Sequence, residues 1–599
     1  MKISFFNIQK TCAFLGTCFL LFLSTSCKKE NNIVKKKNIN EVFTALYKNN
    51  LNKTVTYLDS LNNTSMLEQK RMFFKEARKY FKVNEAMISF WNRENVKSLN
   101  SPNLLRIHEE DATDIKVKNP IGFQVIEETL FADEIDAEAL HALVDVTKNK
   151  FRLIANNSKL KVKKHHVIWI IRDQIVRVAT TGLSNFDSPV LGQSLLESSF
   201  SYDGIKQCIL EVEEYFADKK LLDSFIKEIE SSQEALKTDF DSFDRYSFIK
   251  NHTHKQLEML NQIQKDWNVS FPFKMFLSNE FSSLFDGEMF NITHFSDRNS
   301  DTTNLAVKVA VGKKLFNDTR LSKDNTISCA SCHASEQAFT DGKVTFNKNI
   351  KRNTPTVTYA TYQKAFFYDK RSGSLEGQIV DVINNPHEFN SNLSEVVDVV
   401  NKDKDYKIAF DSLYKRGGVT DSNIRHAIAS YIRSLNSWDS KFDNNINGKE
   451  NTLTETEIKG FNIFMGKGAC ATCHFPPTFN GTIPPNFNET ELEIIGVPET
   501  ADNKALDDDL GRYDVYHTEE RKFAFKTPSI RNIDKTAPYM HNGVYNTLEE
   551  VMNFYNKGGG EGLGYVVPNQ TLPFDNLNLS EEEINAVIAF MKTLTDEGY

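Results

Sequence analysis

The sequence predicts a mainly α fold: an antiparallel helical bundle over residues 41–285, then two smaller helical domains built on one repeated plan. Three observations carry that expectation. Apolar residues recur at three- and four-residue steps through the first half, as at Val42, Phe43, Leu46 and Tyr47 and again at Phe225, Ile226 and Ile229. Strand-like alternation is scarce, and few Pro or Gly residues interrupt residues 41–285. The second half carries one short motif twice, Cys329-Ala-Ser-Cys332-His333 and Cys470-Ala-Thr-Cys473-His474.

The spacing Cys-x-x-Cys-His lets two thiols form thioether bonds to one haem while the adjacent histidine ligates its iron. A disulfide or a zinc site would need further cysteines or histidines flanking the motif, and neither copy has them. The second half therefore reads as two cytochrome c-type haem domains, residues 286–445 and 446–599, each holding covalent haem c. Cys329, Cys332 and His333 serve one haem, and Cys470, Cys473 and His474 the other. Of the eight cysteines, Cys12, Cys18 and Cys27 lie in or at the end of the first apolar segment, and four carry haem. Cys208 remains, and its helical surroundings mark it as a small buried apolar residue.

Taken in order, residues 1–27 read as a lipoprotein signal peptide. Lys2 and Lys10 precede an apolar run from Thr11 to Leu23, too short to span a bilayer, and Ser24-Thr25-Ser26-Cys27 follows. That ending resembles a bacterial lipobox, with Cys27 as the lipidated residue, and implies an exported, periplasmic, lipid-anchored protein. Residues 28–40 are Lys/Asn-rich and suit a tether. The net charge of -8 and pI of about 6.0 leave no basic footprint for nucleic acid. Within the bundle, Gly122-Phe123-Gln124-Val125-Ile126-Glu127 resembles the Gly-x-His-x-x-Glu motif of imelysin-like domains, with Gln124 at the histidine position. His165, His166, His252 and His254 read as surface residues. Further on, helical patterns recur at Glu395–Asn401, Asp421–Leu435, Glu455–Phe464, Leu548–Tyr555 and Ser580–Leu594.

From about Val307 onward the chain resembles bacterial dihaem cytochrome c peroxidases and the related MauG-type enzymes. The resemblance rests on Gly312-Lys-Lys-Leu-Phe-Asn-Asp-Thr-Arg320, the first haem motif through Gly342, Arg352-Asn-Thr-Pro-Thr356 and Asn385-Pro-His-Glu388. It continues in Phe525-Lys-Thr-Pro-Ser-Ile-Arg531-Asn and Thr536-Ala-Pro-Tyr-Met-His-Asn-Gly543. It implies that the His333 haem reacts with hydrogen peroxide, with Glu388 as acid–base catalyst and Gln378 positioning the peroxide. Such enzymes often place a capping histidine after the first haem motif, and this chain has none between His333 and His387. The first haem is therefore expected to stay open without reductive activation, unless His387 acts as a distal ligand.

The resemblance also implies a second axial ligand for the His474 haem. Tyr555 occupies the matching position, with Met552 one turn earlier and Met540 as alternatives. Tyr368 stands where the family usually places an inter-haem Trp, and an electron or hole relay is its implied role. Asn353 and the main-chain carbonyls of Thr536 and Pro538 match the ligands of an interdomain Ca²⁺. The expected function is a dihaem peroxidase fed by a small redox protein (a cytochrome or cupredoxin) or by an oxidisable substrate. The alternative is a non-catalytic periplasmic dihaem electron-transfer cytochrome.

Overall fold

The computed structural model describes residues 38–296, 303–414, 417–573 and 575–599. The expected signal segment, Cys27 and most of the 28–40 tether lie outside the described residues.

Helices Ile39–Asn63 and Leu67–Trp91 form the first hairpin of the bundle. The short turn 64–66 makes them antiparallel neighbours, and Phe43, Tyr47, Leu51 and Leu58 give the first helix a stripe of fully buried side chains. Helix Ala137–Asn157 packs on the first helix and Ser194–Leu210 on the second. The former starts cleanly because Asp136 Oδ1 accepts the N–H groups of Glu138 and Ala139. Helix Lys164–Arg177 is buried on nearly every side, its polar Arg172 and Gln174 along with Val167, Ile168, Ile170 and Ile171, and it runs through the core.

Two features depart from the sequence reading. Strands Arg106–Glu109 and Ile115–Lys118 pair antiparallel, with Arg106 opposite Lys118, inside the region expected to be helical. Asp111 Oδ1 accepts the N–H groups of Thr113 and Asp114, and this side-chain turn competes with helix. Of the four bundle histidines, expected at the surface, His165 is buried and the other three are only partly exposed. His165 is buried against Trp169, with ring centroids 5.0 Å apart, and His166 packs on Phe90. His252 Nδ1 meets Glu228 at 2.7 Å, and His254 Nε2 accepts the N–H of Leu284. No metal-binding group of three His, Cys, Asp or Glu side chains occurs among the described residues. Cys208 is fully buried, as expected.

The imelysin-like hexapeptide has a packing role. Gly122 has φ 105°, and a Cβ there would lie 2.4 Å from the Leu99 carbonyl. Gln124 donates to Asn100 O, and Glu127 accepts from Ser188 and the N–H groups of Val190 and Leu191. Close by, Arg78 pairs with Glu197, and Lys82 bridges Asp187 and Glu85, all well inside the bundle.

Both haem domains repeat one crossing. In the first, helices Leu305–Phe316 and Asp421–Arg433 approach so closely that a Cβ on Gly312 would lie 2.0 Å from Ala427 O. In the second, helices Glu455–Met465 and Glu581–Lys592 do the same, with Gly460 1.9 Å from Ala586 O by the same measure. The first haem domain has an apolar core of its own around Leu315, Phe316 and Phe410, while its Tyr359, Tyr362, Trp438 and Phe442 join the larger core of the bundle and the second haem domain. The second shares a continuous core with the bundle, through Phe285, Phe442, Phe461 and Phe479. Tyr246 packs on Phe442 and Phe461, and Glu109 pairs with Arg512 at 2.9 Å.

Candidate active site

Each Cys-x-x-Cys-His motif is a tight turn closed by its histidine N–H, which donates to Cys329 O and Cys470 O at 2.9 Å. The bridges Ala334–Thr340 and Phe475–Asn480 then fold the following loops back. His333 Nδ1 lies 3.1 Å from Phe339 O, and His474 Nδ1 lies 3.2 Å from Phe479 O. The main chain at Pro355 and Pro528 accepts from the same two rings. With Nδ1–H held by backbone oxygens, Nε2 is the atom each ring can offer to iron. Burial lowers both imidazole pKa values, His474 to about 4, so both rings are neutral at pH 7. Burial also pushes Cys329, Cys332 and Cys470 up to about 12, which disfavours the thiolates a zinc site requires. Paired thiols beside a neutral, oriented imidazole fit haem at both motifs.

On the far side of the first motif, helix Leu375–Asn384 begins at Ser374, whose Oγ accepts the N–H of Gly377. It carries Gln378, which is half-buried, and it ends at the Asn385 turn that holds Glu388. Glu388 is half-buried and its Oε2 has no hydrogen-bond partner. Burial pushes this carboxyl up to about 7, against the opposing charge of Arg371. Its charge in turn raises the pKa of Cys332 and Cys329, so it lies in the electrostatic neighbourhood of the first motif. His387 is exposed, with its carbonyl taken by Asn347. Sequence reasoning missed the buried support behind Gln378: Glu376 pairs with Arg433 at 2.6 Å and meets His426 at 3.4 Å. These partners lie 50 and 57 residues away in sequence, so no local pattern announces them.

Facing the second motif, helix Leu548–Asn556 carries Tyr555 and Met552. Tyr555 is half-buried; burial pushes its phenol pKa up, and Cys473 and Cys470 act on it in the same direction. Met552 is instead packed into the apolar core, and Met540 is half-buried with φ 73°. Glu493 reaches Cys473 and Thr571, and burial pushes its carboxyl up to about 7.

Tyr368 lies at the seam between the haem domains, its carbonyl accepting the N–H of Lys526 at 2.6 Å. Arg352 bridges Asp369 and Asp509 across that seam, at 2.5 and 2.6 Å. Asn353 donates Nδ2 to Lys343 O, which leaves Oδ1 as the atom able to face a cation, and its N–H donates to His541 O. A Cβ on Gly543 would touch both Val344 and Pro538, so the Asn353 and Thr536–Pro538 segments share one neighbourhood.

Residues 306–451 match the family model described as di-haem cytochrome c peroxidase. Cytochrome-c peroxidase IdrP2 of Denitromonas iodatirespirans is 31% identical over 309 residues, 48% of this chain and 82% of that protein. The cytochrome c551 peroxidase of Nitrosomonas europaea is 33% identical, over 48% of this chain and 79% of its own. The methylamine utilization protein MauG of Methylorubrum extorquens is also 33% identical, over 48% and 78%. A solved MauG-like protein associated with microbial copper homeostasis is 29% identical over 49% of this chain and 90% of that one, with a TM-score of 0.43. Two Cys-x-x-Cys-His loops, and relatives matched over most of their own length, make this chain a member of the di-haem cytochrome c peroxidase family.

Proposed function

We propose that this di-haem peroxidase reduces hydrogen peroxide at the haem of the first domain, with Glu388 as its proton-transfer group. The observation that carries the reading is the Glu388 carboxyl: half-buried, one oxygen unpartnered, acting electrostatically on Cys329 and Cys332, and pushed by burial up to about 7. Cys329 and Cys332 would attach a haem that His333 would ligate, and that group would supply the iron and the redox chemistry for O–O cleavage. Glu388 takes a proton from the peroxide and returns it to the departing oxygen, which leaves as water, and the second oxygen leaves as water once two electrons from the donor and two solvent protons have been taken up. Gln378 holds the peroxide by hydrogen bonding. His387 is exposed, and no other histidine precedes it after His333, so peroxide meets an open first site without prior reduction.

Cys470 and Cys473 would attach a second haem that His474 would ligate, and that group would supply the electron-transfer chemistry. Tyr555 would be the residue able to ligate it from the other element, a reading supported by the electrostatic influence of both cysteines on its phenol while Met552 sits in the core. Tyr368 relays charge across the seam, and Ca²⁺ held by Asn353, Thr536 and Pro538 fixes the haem domains relative to each other. The donor is a small cytochrome or cupredoxin, or an oxidisable substrate. Cys27 lipidation would hold the enzyme at the periplasmic face of a membrane. The test is the Soret and near-infrared spectrum of diferric protein after one equivalent of peroxide, followed by reduced small cytochrome c. An immediate change that Glu388→Gln abolishes is expected. Reaction only after pre-reduction of the second haem would sink the open-site reading.

A further inference from the structure

The two axial-histidine loops converge on one buried cluster. Tyr359 lies four residues beyond Pro355, which faces His333, and Arg531 lies three residues beyond Pro528, which faces His474. Four residues of chain reach at most about 14 Å, so each side of the cluster stands close to one axial histidine. Asn532 ties the sides together, donating Nδ2 to Thr358 Oγ1 at 3.2 Å and to Asp596 Oδ2 at 3.1 Å. Tyr359 is 0% exposed. Its hydroxyl donates to Asp596 Oδ1 at 2.7 Å and accepts the Trp438 backbone N–H at 2.9 Å. The Trp438 ring packs edge-on against Tyr359 at 5.2 Å, and its Nε1–H donates to the Tyr362 hydroxyl at 3.1 Å.

Three oxidisable rings thus meet between the two haem attachment loops, and the surrounding charges decide among them. The Arg531 guanidinium, paired with Asp443 at full burial, lies 4.1 Å from the centre of the Trp438 ring. That contact attracts a neutral indole and repels an indole cation. Loss of the indole proton meets no better base, because Nε1–H points at a hydroxyl, and Tyr362 passes its own hydrogen bond to the Asn436 amide. Tyr359 is different. Arg531 also lies over its ring, at 4.6 Å, but the phenol loses its proton on oxidation and never needs to hold a positive charge. The proton's acceptor is already bonded to it: Asp596 is buried, and its pKa is pushed up only to about 6, so it is ionised at neutral pH.

We infer that Tyr359 is a redox-active residue of this enzyme, giving up one electron while its phenolic proton passes to Asp596, and resting as a neutral tyrosyl radical. The step rests on the peroxide reaction proposed above. Reduction of hydrogen peroxide to two waters takes two electrons and two protons: Tyr359 supplies one electron, the small redox protein or oxidisable substrate proposed above supplies the other, and the protons come from solvent. The O–H bond of Tyr359 breaks, the Asp596 carboxylate becomes a carboxylic acid, and reduction by the donor reverses both changes. The enzyme could then hold an oxidising equivalent inside the protein until donor or substrate arrives.

The test is freeze-quench electron paramagnetic resonance of the full haem-loaded chain mixed with one equivalent of peroxide, with the Soret band read in parallel. An organic radical signal is expected, altered by ring-deuterated tyrosine and unaltered by deuterated tryptophan. Tyr359→Phe, checked for full haem content and an unchanged ferric spectrum, should lose it, and Tyr368→Phe should keep it. Asp596→Asn should slow its appearance. A signal that responds to deuterated tryptophan, or that persists in Tyr359→Phe, overturns the assignment while leaving the peroxide reaction intact. Labelling of the unsubstituted protein decides the residue type even if a variant fails to load haem. A Soret band unmoved by peroxide overturns the peroxide reading, and this inference with it.

Discussion

Glu388 sets function against stability. Burial without a partner for Oε2 holds its carboxyl near pH 7, where it can both accept and return a proton. The same shift has a cost. The folded-state pKa is above that of the unfolded chain, so the contribution to stability is fully present below the ordinary glutamate range and is lost as pH rises through about 7. Glu388→Gln should therefore slow the peroxide reaction by about 10²–10⁴-fold and remove its rise with pH near neutrality. The variant should also gain melting temperature relative to the unsubstituted protein between pH 5 and pH 8, by an amount that grows with pH. A constant difference across that range would mean the carboxyl is not buried as described. Glu388 was legible in the sequence only through Asn385-Pro-His-Glu388; as a lone acid it had no signature. The pairs Glu376–His426 and Tyr359–Asp596 were not legible, because their partners lie 50 and 237 residues apart and only the fold joins them.

Helices were the most legible elements, because their ends are written locally. Thr454, Thr547 and Ser580 each cap a helix whose third residue is a Glu bonding back to the cap. The predicted starts fall within one residue of the observed ones at all three. The hairpin Arg106–Lys118 escaped notice because its signal is one aspartate turn rather than a periodic pattern. The helix crossings were equally hidden: nothing in Gly312 or Gly460 alone says that a carbonyl lies against its Cα. Once seen, they support a sharp expectation. Gly312→Ala would bring a methyl to 2.0 Å from Ala427 O, and Gly460→Ala to 1.9 Å from Ala586 O. Backbone oxygen cannot swing aside as a flexible side chain does, so each change should cost about 1–3 kcal/mol or more through forced separation of the helices. Gly312→Ala should loosen the first haem domain alone, read as a lower melting point for the His333 haem band. Equal loss at both haems from Gly312→Ala would refute the separation of the two cores.

The bundle and the second haem domain share one core, joined by Tyr359, Tyr362, Trp438 and Phe442 of the first haem domain, which otherwise has its own. Phe186 rests edge-on against Phe475, the residue after His474, with ring centroids 5.5 Å apart, and a Cβ on Gly466 would strike the Arg245 guanidinium at 2.6 Å. An apolar surface buried this continuously offers no cleavage plane, and residues 41–285 are in that sense part of the second haem domain's body rather than a spacer. The polar side of the contact is the Glu109–Arg512 pair, with side chains only 6% and 10% exposed. Arg512 also donates to the carbonyls of Asp369 and Lys370, next to Tyr368, so the bundle's hairpin reaches the haem seam through one side chain. Removing one partner of a buried pair strands the other charge, at a cost of about 3–5 kcal/mol. Glu109→Ala should lower the melting point of the bundle's far-ultraviolet helical signal and of the His474 haem band together, with the His333 band less affected. Cooperative unfolding of bundle and second haem domain should likewise appear as a single calorimetric transition in the unsubstituted haem-loaded protein. If limited proteolysis released a stable fragment spanning residues 39–285 with its helical signal intact, the bundle would be an independent domain and the shared core would carry no mechanical weight.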